Sequence, residues 1–427
     1  MRRRFMLAMT AFAALSPQIR SQSLSMEDQL RQSLSGDEFV AHEWGTFTSL
    51  QGSDGANLPG LHYGDERLPG FVYCPLGFSY GGCLTQFRST ESGPLATTQR
   101  METPVIYFYS KTDQALEVTV DFPKGIITEW YPAASAYSPR PHQVTALQDG
   151  TMTWDIKIST AVLPVEQVNA SEIWQSQRNV GANYISVANE FGEIENENFI
   201  FYRGLAQFNP PFKVTSDVDS NLILHNEDVE PISCILLLDY NGSKGAFKLI
   251  EHLPGNKTMT FKKSEIPAAE DGQDANEYVS EVSSVLEKYL TKNGLLPLEA
   301  AAMVNTWQKS YFKSPGLRAL YVLPRAWTDT FIPLRFSDTP KALERVFVGR
   351  VEILEQAREI ELLKDVQEVM ALKNDDRYEK EYSFLNSLNR FAEPILWRLK
   401  ALTDDKALQK YIENRLIPLA NASLDMR

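Results

Sequence analysis

The chain is poor in the residues on which metal, thiol and nucleic-acid chemistry most often depend. Its 427 residues include three cysteines and five histidines. His42, His62, His142, His225 and His252 are scattered singly, so no pair shows the spacing of a local metal motif. After Arg2, Arg3 and Arg4 no run of lysines or arginines occurs, and 42 basic residues face 55 acidic ones, for a net charge of −13. Such a surface repels phosphate backbones, which excludes nonspecific nucleic-acid binding. Beyond residue 15 no apolar run is long enough to cross a bilayer, so an integral membrane protein is not expected. Internal repeats and low-complexity segments are also missing.

What is there begins with a targeting signal. Arg2, Arg3 and Arg4 precede a short apolar stretch at 5–15, and residues 1–24 read as a signal peptide. The expected product is soluble and exported, to the periplasm or outside the cell. In an oxidising compartment Cys74 and Cys83, which bracket CPLGFSYGGC, are expected to close that loop as a disulfide. Cys234, inside an apolar run, reads as a buried free thiol. Seven tryptophans and seventeen tyrosines favour β-structure or a surface that handles sugars or peptides.

The patterning is mainly β, with helices inserted and appended. Residues 25–35 read as a helix opened by Ser25 and Asp28. Leu116, Val118, Val120 and Phe122 alternate with polar residues, and similar runs recur to about residue 265. We expect an antiparallel β-sandwich over 25–209. Pro210 and Pro211 open a segment, 210–265, that is either a second β-unit or the completion of the first. Residues 266–354 read as helices and returning strands packed on the β core. From 355 to 427 the spacing of Leu363, Val366, Met370 and later Ile395, Leu399 and Leu402 predicts a helical appendage.

Several stretches resemble a family of uncharacterised exported bacterial proteins. They are HEWGTFTS at His42, METPVIYFYS at Met101, TEWYP at Thr128, FYRG at Phe201, EAAAMVNTW at Glu299 and RVFVGRVEIL at Arg345. The resemblance covers about 38–354 and implies one shared architecture; it brings no activity with it.

The stretch 39–55, FVAHEWGTFTSLQGSDG, concentrates the candidate chemistry. In a strand, Phe39, Ala41, Glu43, Gly45 and Phe47 share one face, and Val40, His42, Trp44, Thr46 and Thr48 the other. Glu43 therefore sits among apolar neighbours and must find a cation or have its pKa raised, which is how a general acid is prepared. Arg203 shares a face with Phe199, Phe201 and Leu205, so it needs an anion, for which Glu43, Glu102 and Glu129 are the candidates. His42-Glu43 lacks the second histidine of a zincin helix, Thr46 standing in its place. His42 remains a candidate ligand for a divalent metal held jointly with carboxylates.

Other motifs are weaker. Gly77-Phe78-Ser79-Tyr80-Gly81 matches a nucleophile elbow without the α/β context that motif needs. Asp217, Asp219 and Asn221 echo a calcium loop, but Leu222 occupies the glycine position, and an acidic turn is expected. Arg325, Trp327 and Asp329 are expected in a turn after a strand, where functional residues collect. Arg350 and Glu352 share a strand face and can pair, and Glu299 lies in the first turn of a helix facing the β-domain.

Three functional readings follow. The first is an extracytoplasmic hydrolase of glycan-like material, with Glu43 and either Glu102 or Glu129 as the acid/base pair, Arg203 beside them, and Trp44 and Trp130 as stacking platforms. Arg325 and Asp329 would join in binding the substrate. The second is a noncatalytic protein that binds a small molecule, glycan or peptide, or assembles in the envelope. The third is a metal-binding protein built on His42 and carboxylates.

Overall fold

The computed structural model describes residues 24–64, 68–74, 97–102, 104–140, 147–168 and 173–425. In chain order the strands begin with β1 (Phe39–Gln51), β2 (Gln99–Met101), β3 (Val105–Ser110), β4 (Gln114–Phe122), β5 (Gly125–Tyr131), β6 (Ala136–Ser138) and β7 (Gly150–Ser159). They continue with β8 (Tyr184–Ala188), β9 (Ile194–Glu197), β10 (Ile200–Ala206), β11 (Phe212–Ser216), β12 (Leu222–Asn226) and β13 (Ile232–Tyr240). The last are β14 (Lys244–Leu253), β15 (Lys257–Phe261), β16 (Gln273–Asp274), β17 (Gly316–Val322), β18 (Leu334–Phe336) and β19 (Ala342–Ile353).

All 13 residues of β1 are buried, because the strand is covered on both faces. Alternation sends Phe39, Ala41 and Phe47 into one core and Val40 and Trp44 into another. The strand lies inside the largest sheet, of order β16-β14-β13-β17-β19-β1-β2-β10-β3, with β5 added on β10. Gly45 is required by close approach: a Cβ there would stand 2.6 Å from the Phe347 ring and 3.1 Å from Pro104 Cα.

A second sheet, β18-β4-β7-β8-β9 with β6 on β7, covers the odd-numbered face of β1. Leu116, Val118, Val120 and Phe122 meet Phe39 and Phe47 in the shared core, as their alternation requires. A small sheet, β11-β12-β15, adds Phe212, Val214, Leu222, Leu224 and Phe261 to it. The protein is therefore a mainly β molecule with a sandwich core and helices added. Segments 25–209, 210–265 and 266–354 all give strands to the large sheet, and 210–265 also supplies the small one.

The even-numbered face is covered by helices. The first are α1 (Met26–Gln32), whose Ser25 side chain accepts from the Asp28 amide, and α2 (Ile173–Arg178). The longer α3 (Ala275–Lys292) and α4 (Pro297–Ser310) follow, whereas α5 (Arg325–Phe331) packs on the odd-numbered side, its Trp327 ring 5.9 Å from that of Phe47. Val282, Leu286, Met303 and Trp307 pack against Val40, Trp44, Leu236 and Leu320. Beyond β19 come α6 (Gln356–Ala371), α7 (Asn374–Leu388), α8 (Ala392–Leu402), α9 (Lys406–Tyr411) and α10 (Ile417–Asp425). Leu362, Val366, Leu396, Leu399, Leu408 and Leu416 form their core, and Leu50, Leu58 and Leu354 dock it on the β-structure. Pro394 falls in the first turn of α8, where a missing N–H breaks no helical bond, and Pro418 follows the π-helical turn Ile412–Leu416 that joins α9 to α10. Among the described residues no helix is long and apolar enough to cross a membrane.

Candidate functional site

Glu43 is completely buried, and its cation is Arg345, directly opposite it on β19. Arg345 Nε lies 2.5 Å from Oε2, and the Tyr202 hydroxyl donates to Oε1. The guanidinium is used up elsewhere too: Nη1 reaches Asp329 at 2.8 Å and Nη2 donates to the Ile332 carbonyl at 2.7 Å. Burial works against the Arg345 charge, but Glu43 and Tyr202 outweigh it and raise the group above its ordinary value. Burial and then Glu43 push the Tyr202 hydroxyl well up, which keeps it a donor. Arg203, the expected partner of Glu43, is on the other face of the sheet. Parallel pairing across 302 residues brings Arg345 here, and no local pattern reveals it.

On that other face His42 Nδ1 lies 2.9 Å from Glu299 Oε2, and the Tyr109 hydroxyl donates to Oε1 at 2.7 Å. Glu299 also accepts the Leu296 amide at 2.8 Å, which satisfies the amino end of α4. One carboxylate thus caps a helix and clamps it to β1. Among the described residues no group of three His, Cys, Asp or Glu side chains is arranged to hold a metal ion. His42 meets one carboxylate and a tyrosine.

Further along the same face the side chains turn from apolar to charged. The registers set Val348, Thr46, Glu102, Arg203 and Glu129 in one row across the sheet. The next row holds Leu320, Arg350, Thr48, Arg100 and Leu205, and a third begins with Arg318, Glu352 and Leu50. Arg390, from the turn before α8, donates to Glu102, and the Tyr311 hydroxyl donates to Glu102 Oε2 at 2.9 Å. Glu352 Oε1 accepts from Arg318 Nε at 2.9 Å and Arg350 Nε at 2.7 Å. Arg100 donates to the His62 carbonyl at 2.7 Å and stands 3.5 Å from Glu129.

The electrostatics of this polar layer are dominated by its arginines. Burial raises the Glu102 carboxyl, but Arg390, Arg350 and Arg100 overcome it and hold the group at about 2. Glu352 is held at about 2 in the same way, burial being outweighed by Arg318 and Arg350. Burial pushes the His62 imidazole down to about 4, with Arg100 adding to the shift, so it is neutral at pH 7.

Arg203 donates through Nε to the main-chain carbonyl of Glu102 and lies 5.6 Å from the Phe201 ring centre. Among the described residues it forms no ion pair, so the anion expected for it is none of Glu43, Glu102 or Glu129. Arg390 takes Glu102, while Arg100 and the Thr128 hydroxyl take Glu129.

The aromatic and loop candidates are placed differently from the expectation. Trp44 and Trp130 are 0% and 4% exposed and belong to the cores; Trp130 stacks on Tyr73 with centroids 5.9 Å apart. Neither offers a face to a sugar. Arg325 and Asp329 lie on α5, not in a turn, and pair with each other at 2.8 Å across one helical step. Asp217 accepts the amides of Asp219 and Asn221 and forms the expected acidic turn. Cys234 is a buried free thiol, pushed up to about 12 by burial. Cys83 and the Gly77–Gly81 motif lie outside the described residues, and with Cys83 the expected disulfide to Cys74. A groove of about 460 Å³ lined by Arg31, Lys111, Asn183 and Tyr184 includes none of the three carboxylates. Sequence reasoning missed Arg345, Tyr202, Arg100, Arg318 and Arg390.

No protein-family model matches the chain, and no curated protein matches it. Among solved structures it is similar to the yeast delta-COP-I mu-homology domain, determined in complex with a Dsl1 WxWxV peptide. That likeness spans 76% of this chain and 100% of the other at 8% identity, with a TM-score of 0.26, too low to carry an argument.

Proposed function

We propose that the protein is an exported, noncatalytic binding or envelope-assembly protein and not a glycan hydrolase. The observation that carries this reading is the neutralisation of the three carboxylates: Glu43 by Arg345, Glu102 by Arg390 and Glu129 by Arg100. A glycosidase needs one carboxylic acid protonated near its working pH and two carboxyl groups facing each other across the sugar. Glu102, held at about 2, is ionised at pH 7. Glu43 lies on the opposite face of the sheet from Glu102 and Glu129, and Arg203 stands between the other two in their row. Buried ion pairs of this kind fix strand register and leave no carboxylate to reach a substrate. The test is to incubate the purified protein with peptidoglycan and with chitin-type oligosaccharides and to follow new reducing ends. We expect no release above buffer. Turnover that disappears in Glu102→Gln or Glu129→Gln overturns the reading.

A further inference from the structure

We propose that the polar layer between the large sheet and the C-terminal helices binds a tetrahedral oxyanion, a phosphate or sulfate group, with Arg203 as its principal cation. This deepens the binding reading above and rests on it. Among the described residues the fold buries several polar groups without satisfying them. Arg203 is 5% exposed and its guanidinium forms a single hydrogen bond among the described residues, to the Glu102 carbonyl. It stands between the Glu102 and Glu129 carboxylates of its row and pairs with neither, and a buried cation without an ion-pair contact is costly; a bound anion supplies that contact.

Arg203 is not alone. The Thr46 and Thr48 hydroxyls, Arg100 Nε and both ring nitrogens of His62 are buried and have no hydrogen-bond partner among the described residues. Their residues are 0%, 0%, 2% and 1% exposed. Native structures leave few such atoms, and a cluster of them marks a ligand or ordered water. Register places Thr48, Arg100 and Arg203 on one face in adjacent rows, Thr48 directly opposite Arg100, while in the row of Arg203 the Glu102 carboxylate stands between it and Thr46. Strands are about 4.8 Å apart, so Thr48, Arg100 and Arg203 can share one small ligand.

The chemistry of the donors selects the ligand. Threonine hydroxyls rise from the floor on β1, guanidinium groups come from β2 and β10, and the His62 ring comes from the loop at 60–64. Donors from several directions suit a tetrahedral oxyanion better than a flat carboxylate. The surrounding field is positive: Arg390, Arg350 and Arg100 hold Glu102, and Arg318 and Arg350 hold Glu352, far below the usual carboxylate range. His62 is neutral, and its Nε2 lies 3.7 Å from Glu393 Oε2, which leaves Nδ1 as the ring nitrogen open to a ligand.

The experiment is calorimetric titration of the purified protein, after dialysis into chloride buffer, with inorganic phosphate, sulfate and acetate at constant ionic strength. Thermal unfolding is followed alongside. We expect saturable binding of phosphate or sulfate with a rise in Tm, and weaker binding of acetate. Arg203→Met should weaken that binding by roughly tenfold or more, the loss of a charge-assisted contact, and Thr48→Val should weaken it measurably. If Arg203→Met does not fold, Thr48→Val decides. The proposal is overturned if chloride shifts Tm as much as phosphate, if acetate binds as well as phosphate, or if both variants bind as the parent does. Reducing-end release on the same samples separates the two claims. No binding with no release sinks the oxyanion and leaves the noncatalytic reading, whereas release sinks that reading whatever the titration shows.

Discussion

Arg345→Met gives the sharpest view of how Glu43 is held. The substitution keeps the stem that packs across β19 and removes the guanidinium that lies 2.5 Å from Glu43 Oε2. Glu43 is completely buried, so no water replaces the lost partner; the Tyr202 hydroxyl still donates to Oε1, but it brings no charge. Removing one member of a buried pair costs about 3–5 kcal/mol. Against a total stability of about 5–15 kcal/mol this is a large fraction, a shift of roughly two to four orders of magnitude in the folding equilibrium. Urea unfolding followed by tryptophan fluorescence reads the loss. Glu43→Leu combined with Arg345→Met should recover much of it, because two apolar residues leave no charge stranded. A cost for Arg345→Met below about 1 kcal/mol, the value of an exposed pair, refutes the reasoning.

Three further outcomes follow from the same geometry. Lowered carboxyl values mean stability that is present above the ordinary value of 4.5 and lost as pH falls towards about 2, for both Glu102 and Glu352. His62, at about 4 against an ordinary 6.5, adds an earlier loss as pH falls between those two values, because the unfolded chain takes up the proton first. Urea midpoints across pH 7 to 3 should therefore begin to drop below about 6.5, and His62→Gln should flatten that first part. Gly45→Ala should cost about 1–3 kcal/mol, since its Cβ would lie 2.6 Å from the Phe347 ring; a neutral result means that the ring moves aside. Cys234 should resist a thiol reagent in the folded protein and react on unfolding, its thiol being buried and held near 12.

Much of the scaffold was legible because alternation is a local property. The 116–122 pattern faces its core as read, and the two sides of β1 divide at Glu43 and His42 as a strand requires. The C-terminal helices show their apolar spacing in Leu363, Val366 and Met370, and they form. The requirement that Glu43 and Arg203 each find an opposite charge was also visible. The partners were not, since Arg345 arrives by a parallel pairing and Arg390 from 288 residues beyond Glu102. Trp44 and Trp130 show a different limit. An aromatic residue in a strand looks the same whether it lines a groove or fills a core, and only covering the sheet on both faces settles it. Arg325 and Asp329 look like loop residues after Pro324, yet that proline is the residue before the first turn of α5.

The noncatalytic account is tested most directly on Glu102→Gln, with urea stability and reducing-end release measured on one preparation. The account predicts a loss of stability of a few kcal/mol, about 3–5, from removing the charge that Arg390 faces in the buried pair, and no release before or after the substitution. A parent protein that cleaves glycan, and a variant that folds as well but does not cleave, contradicts it.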